Sequence, residues 1–106
     1  MQYQRVYEPE SLSREELNAL EGITVVEFGA NWCGYCIAAQ PEIEQALEGV
    51  QEGVHMKVED GPGRRLGRSF RVKLWPTLII MRDGEEIARA VRPDSQALTD
   101  LLAAIR

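Results

Sequence analysis

Ile23-Thr24-Val25-Val26-Glu27-Phe28 is a β-branched run in which apolar and polar side chains do not alternate. Such a run favours extended backbone, and a strand without alternation is one buried on both faces. The chain therefore has to supply a packing layer above this strand and another below it. The rest of the sequence has to be read for what forms those layers.

The only two cysteines among the 106 residues, Cys33 and Cys36, follow directly, after the tight connection Gly29-Ala30-Asn31 and then Trp32. From Gly34 to Leu47 the apolar residues Ile37, Ala38, Ile43, Ala46 and Leu47 fit one helical face. Pro41 is expected to kink that helix, and Gly49 to stop it. Cys33 thus stands at a helix start, where free N–H groups and the helix dipole stabilise an anion. Cys36 lies one turn further in on the same face, so the two sulfurs can meet. The outer thiol can attack a disulfide and the inner one can resolve the mixed disulfide. Metal binding would need about four ligands. The single histidine, His55, sits on a different strand, read as distant, and no second cysteine pair exists. Metal chemistry is therefore set aside, as is a pair of ordinary buried thiols.

Glu27 interrupts the buried run. Burial should raise its pKa toward neutrality and make it a proton acceptor for Cys36. The alternative is that it reaches solvent or pairs with a lysine such as Lys57. Trp75-Pro76-Thr77 opens another buried run, where proline is tolerated only at the first residue or on an edge. A cis Trp75–Pro76 bond would expose backbone for pairing with an extended substrate, and a trans proline opening the strand is the alternative.

The remaining elements follow in order. Gln2 to Tyr7 reads as a short first strand ended by Pro9. Ser13 and Glu16 form a capping box for a helix to about Leu20, with Leu12 and Leu17 placed as a hydrophobic staple. Val54 to Val58 is a strand with Val54, Met56 and Val58 on one face and His55 and Lys57 on the other. Arg64 to Phe70 is a short helix turning Leu66 and Phe70 inward. Thr77 to Met81 and Glu86 to Val91 are strands joined by a hairpin at Arg82-Asp83-Gly84-Glu85. Asp94 or Ser95 caps a last helix with the stripe Ala97, Leu98, Leu101, Leu102 and Ile105. The order β-α-β-α-β-α-β-β-α implies an α/β fold, a mixed sheet with helices on both faces.

Composition narrows the function classes. A net charge of −5 disfavours nonspecific binding to nucleic acid or anionic membranes. Arg64, Arg65, Arg68, Arg71 and Lys73 form a local basic stretch, read as a solvated helix face, with a docking patch for an acidic partner as the alternative. No apolar signal segment opens the sequence, and no run approaches the roughly eighteen apolar residues of a membrane span. A chain starting natively at Met1 is expected in the cytoplasm, where a lone Cys-x-x-Cys is catalytic or metal-binding rather than a structural staple.

Phe28-Gly29-Ala30-Asn31-Trp32-Cys33-Gly34-Tyr35-Cys36 resembles the thioredoxin active-site segment, and the resemblance extends over nearly the whole chain. Glu27 stands where thioredoxins carry a buried Asp, and Pro41 where they carry a helix-kinking proline. Pro76-Thr77 matches the cis-proline motif, and Asp83-Gly84 the hairpin that follows it. Lys57-Val58-Glu59 resembles the third-strand segment whose lysine pairs with the buried acid. The resemblance implies one thioredoxin-like domain over residues 1–106, its central sheet built from a parallel half and an antiparallel hairpin. It implies that Cys33 is the nucleophile, Cys36 the resolving thiol and Glu27 the proton shuttle. Trp32, Gly34, Tyr35, Trp75, Pro76 and Thr77 would then form the substrate surface, with Pro76 cis. The redox group would be a Cys33–Cys36 disulfide, with no metal or bound cofactor. The implied partners are protein disulfides and an upstream thiol reductase, engaged by a monomer that binds neither nucleic acid nor membrane.

Three departures qualify that inheritance. Tyr35 replaces the usual proline of Cys-Gly-Pro-Cys, and in Cys-Gly-Tyr-Cys the chain resembles bacterial periplasmic disulfide isomerases. A less reducing potential is expected, between about −270 and −180 mV. Trp75 replaces a smaller apolar residue, and Arg92-Pro93 replaces a glycine segment of the substrate groove. The leading expectation is a dithiol reductase of protein disulfides. The alternatives are an isomerase or oxidant, and a noncatalytic module that binds through the groove.

Overall fold

The structure, a computed structural model, describes residues 1–106. The β-branched run forms β1 (Ile23–Gly29), buried along its entire length. It lies inside a four-stranded sheet of order β2-β1-β3-β4, with β2 (Val54–Glu59), β3 (Thr77–Arg82) and β4 (Glu85–Val91). β1 runs parallel to β2 and antiparallel to β3, and β3 pairs antiparallel with β4.

The missing alternation in β1 has a direct cause. Ile23 and Val25 pack with Ile43 and Leu47 of α2 (Gly34–Glu48) and with Leu98, Leu101 and Ile105, which extend along and just beyond α4 (Ser95–Ala103). Val26 and Phe28 pack on the other face with Leu17 of α1 (Arg14–Asn18) and with Leu66 and Phe70 at α3 (Arg65–Ser69). Each fully buried aliphatic or aromatic side chain contributes about 1.5–3 kcal/mol. A strand used by both layers therefore has no solvent face on which polar residues would be tolerated.

The caps are local and legible. Ser13 Oγ accepts from Glu16 N–H while Glu16 returns a bond to Ser13 N–H, and Leu12 packs against the cluster that holds Leu17. Asp94 caps α4 through Ala97 N–H at 2.8 Å. α2 remains one helix across Pro41. The hairpin between β3 and β4 turns on Asp83 and Gly84, with φ of 50° and 83°. A side chain at Gly84 would also collide with the Asn18 carbonyl, so glycine is required there twice over.

One expectation fails. Gln2 to Tyr7 does not form a strand, and only Glu8 bridges to Val58. The backbone N–H groups that a ladder would use go to side chains instead. Gln4 N–H donates to His55 Nδ1 at 3.0 Å, and Tyr7 N–H donates to Asn31 Oδ1 at 2.8 Å. The alternation of β2 is as expected, and both of its faces meet the core: His55 and Lys57 are buried on one, Val58 on the other with Met56 packed beside it, while Val54 at the strand start is exposed. Parallel pairing sets His55 beside Val25 and Lys57 beside Glu27, so the polar residues of β2 share the face that carries the buried acid.

Candidate active site

Cys33 is the N-cap residue of α2, and its Sγ accepts from Cys36 N–H at 3.4 Å. A sulfur held against free helix N–H groups is stabilised as an anion. Both cysteines are free thiols, 7% and 1% exposed for Cys33 and Cys36. Burial pushes the Cys36 thiol from 9.0 up to about 11, so the inner sulfur is held as a thiol. The arrangement separates an outer sulfur seated on free helix N–H groups from an inner sulfur held as a thiol.

The rim is aromatic. Trp32 is 74% exposed and Tyr35 62% exposed, flanking the pair. Opposite them the Trp75–Pro76 bond is cis, and Trp75 packs against the small cluster of Tyr7, Ala30, Cys33 and Cys36. The Trp32 and Trp75 rings meet edge to face, 5.6 Å between centroids. The Trp75 indole N–H donates to Asp60 at 2.9 Å, which fixes the ring. Thr77 is buried, its hydroxyl donating to the Leu74 carbonyl at 2.6 Å. Gly34 faces open space, with no atom near where a side chain would begin.

Beneath the thiols Glu27 is fully buried, and both of its carboxylate oxygens are hydrogen-bonded. Its Oε1 meets His55 Nε2 at 2.9 Å, and its Oε2 accepts from Gln40 Nε2 at 2.8 Å and from the Tyr7 hydroxyl. Because Gln4 N–H donates to His55 Nδ1, the ring proton lies on Nε2 and points at the carboxylate. Gln40 also donates to the Cys36 carbonyl at 2.9 Å, and its own oxygen accepts from Lys57 Nζ at 2.8 Å.

The expected direction of the Glu27 shift is reversed. Burial alone would raise its pKa, but the hydrogen bonds from His55, Tyr7 and Gln40 outweigh it and hold the carboxyl below its usual range. Glu27 therefore sits beneath the thiols as an anion. The expected partner is also replaced. Lys57 does not pair with Glu27 but donates to the Arg5 carbonyl at 2.9 Å and to Gln40, while His55, read from sequence as distant, takes the acid.

Tyr7 escaped the sequence reading altogether. Its hydroxyl donates to Glu27 Oε2, its side chain shares one buried cluster with Cys36, and burial together with the Glu27 charge raises its pKa far above the ordinary value for tyrosine. Gly29 makes this approach possible, since a Cβ there would lie 2.6 Å from the Tyr7 ring and 2.7 Å from Cys36 Sγ. The available signal was a glycine opening the active-site connection, together with an aromatic residue in a segment assigned as a strand.

The thioredoxin family model matches residues 7–105. Thioredoxin 2 from Pseudomonas aeruginosa PAO1, solved in its reduced form, is similar at a TM-score of 0.84 and 50% identity, covering 97% of each chain. Thioredoxin of Chlamydia pneumoniae is 32% identical over 76% of this chain and 80% of its own length. Mitochondrial thioredoxin-2 of Schizosaccharomyces pombe is 33% identical over 76% of this chain, and the match spans 61% of that relative's length. With the family match running from Tyr7 to the last helix, and the paired cysteines, buried acid and cis proline all in place, this chain belongs to the thioredoxin family.

Proposed function

We propose that the chain reduces disulfide bonds in other proteins by dithiol–disulfide exchange. The observation that carries this reading is Cys33 Sγ seated on the N-terminus of α2, with the buried Cys36 thiol one turn behind it. The Cys33 thiolate attacks one sulfur of the substrate disulfide, forming a mixed disulfide and expelling the other sulfur as a thiolate. Cys36 then attacks Cys33 Sγ, and the substrate's second sulfur leaves reduced. Two electrons pass to the substrate, and the Cys33–Cys36 disulfide holds the oxidised state. An upstream thiol reductase returns two electrons and two protons.

The second step requires Cys36 to lose its proton. Tyr7 is the group between that thiol and the Glu27 carboxylate. The proton passes to the Tyr7 oxygen as the Tyr7 hydroxyl proton passes to Glu27, and the acid is left protonated until the internal disulfide has formed. Trp32, Tyr35 and Trp75 bound the surface that receives the substrate chain, with Gly34 leaving room over the sulfurs. Pro76 and Thr77 set the floor opposite. Exchange in the reducing direction suits a monomer in the cytoplasm, where a dithiol is maintained.

Reduction of insulin by dithiothreitol, followed as turbidity, tests the reading. The chain is expected to accelerate it and Cys33→Ser to abolish the acceleration. A chain that gives no acceleration over dithiothreitol alone would be a binding module instead.

A further inference from the structure

A recess of about 500 Å³ lies on the far side of Trp75 from the thiols, lined by Arg64, Arg68, Arg71, Lys73, Asp60 and Trp75 among others. Four cations converge there in a chain whose net charge is −5. Arg64 is committed to Glu59 at 2.8 Å, and Asp60 accepts the Trp75 indole N–H at 2.9 Å. Arg68, Arg71 and Lys73 are different. All three are exposed, and none makes an ion pair or side-chain hydrogen bond. Arg71 also holds a left-handed backbone with φ of 59°, a conformation glycine or asparagine adopts at lower cost.

These charges are not dispersed as on a solvated helix face. They face one hollow that shares a wall with the thiol site, because Trp75 contacts the cysteine cluster and borders the recess. A chain delivering its disulfide to Cys33 past Trp75 reaches the recess within a few extended residues. An overall acidic protein repels acidic partners, so a local cationic hollow orients one that would otherwise be turned away.

We propose that this recess binds an acidic segment flanking the reactive disulfide of a protein substrate, and so selects among substrates. The inference rests on the reductase reading above, and the bond exchange is the one already written. Two disulfide peptides that differ only in the segment a few residues from the cysteine, Asp/Glu-rich against Ser/Gln-rich, provide the test. At low ionic strength the acidic peptide is expected to show a kcat/KM about tenfold higher, with the difference shrinking as salt screens it. Arg68→Glu combined with Arg71→Glu should remove the preference and leave the neutral peptide unaffected. Equal kcat/KM for the two peptides, or a preference that survives the double variant, would overturn the proposal. Titration calorimetry with serine replacing cysteine in both peptides reads the recess without chemistry. Preferential binding of the acidic peptide there supports the recess even if neither peptide is reduced, in which case the reductase reading is what fails. Equal or absent binding overturns the recess.

Discussion

The Arg92 guanidinium lies over the Tyr35 ring, 3.8 Å from its centre, and the same side chain donates from Nε to the Trp75 carbonyl at 2.8 Å. The Arg92 N–H also donates to the Pro76 carbonyl at 2.8 Å. Two departures from the thioredoxin pattern, Tyr35 and Arg92, are therefore one device. Arg92 fastens the tyrosine of the Cys-Gly-Tyr-Cys loop to the backbone of the cis-proline turn that leads into β3, across the opening a substrate must enter.

Arg92→Ala is expected to cost no more than about 1 kcal/mol of stability, the scale of an exposed cation–π contact. It frees the Trp75 carbonyl for an incoming backbone N–H. The KM for unlike disulfide substrates should converge while kcat changes little. Steady-state kinetics with two such substrates, beside a urea melt, checks this, and an unchanged KM ratio would count against the clasp.

Glu27→Gln and Glu27→Ala should differ in kind. Alanine orphans the buried groups of His55, Tyr7 and Gln40, at a cost of several kcal/mol. Glutamine preserves most of the packing but removes the base, so resolution should slow by about a hundredfold while the first attack is spared. Quenched single turnovers should then accumulate the mixed disulfide. Equal slowing of both steps would assign Glu27 to structure rather than proton transfer.

Acid should unfold the protein through the same residue. The folded carboxyl titrates below its ordinary 4.5, so the folded state binds fewer protons than the unfolded chain in that window. The stabilisation is present above the ordinary value and is lost as pH falls through the folded one. Urea midpoints measured down the acid limb should fall steeply for the native chain and less steeply for Glu27→Gln.

Tyr7→Phe removes the neighbouring hydroxyl that lowers the Cys36 pKa, so the thiol, already near 11, should move higher still. Alkylation followed by mass spectrometry against pH is expected to modify Cys33 first in both proteins. The second alkylation should shift to higher pH in the variant, and resolution should slow with it. An unshifted profile removes Tyr7 from the proton path.

Tyr35→Pro restores the residue typical of the family at the start of α2. Against a native value expected between about −270 and −180 mV, the variant should move toward the reducing end in equilibration with glutathione.

Much of this was legible in the sequence. The unalternating β1 run announced two packing layers, and the spacing of Cys33, Cys36, Pro41 and Pro76 located the site. What stayed hidden depended on which strand lies beside which. The alternation separates Val54, Met56 and Val58 from His55 and Lys57, but which face meets the acid depends on the pairing with β1, which sets His55 and Lys57 on the side of Glu27 and leaves Val58 in the core on the other. Tyr7 was hidden for a related reason. Its segment is held by side chains of β2 and of the loop before α2, and no local periodicity records such anchors.

The parallel register of β1 and β2 gives the buried acid a second role, in assembling the sheet. Shifting β2 by one residue would turn His55 and Lys57 to the opposite face of the sheet, the side of Val26 and Phe28, and set apolar side chains on the face of Glu27, leaving the ion without its His55 partner in a dry interior. Apolar strands alone discriminate weakly between neighbouring alignments. Here a misaligned sheet carries an unsolvated charge, so the group that serves the chemistry also rejects wrong pairings while the protein folds.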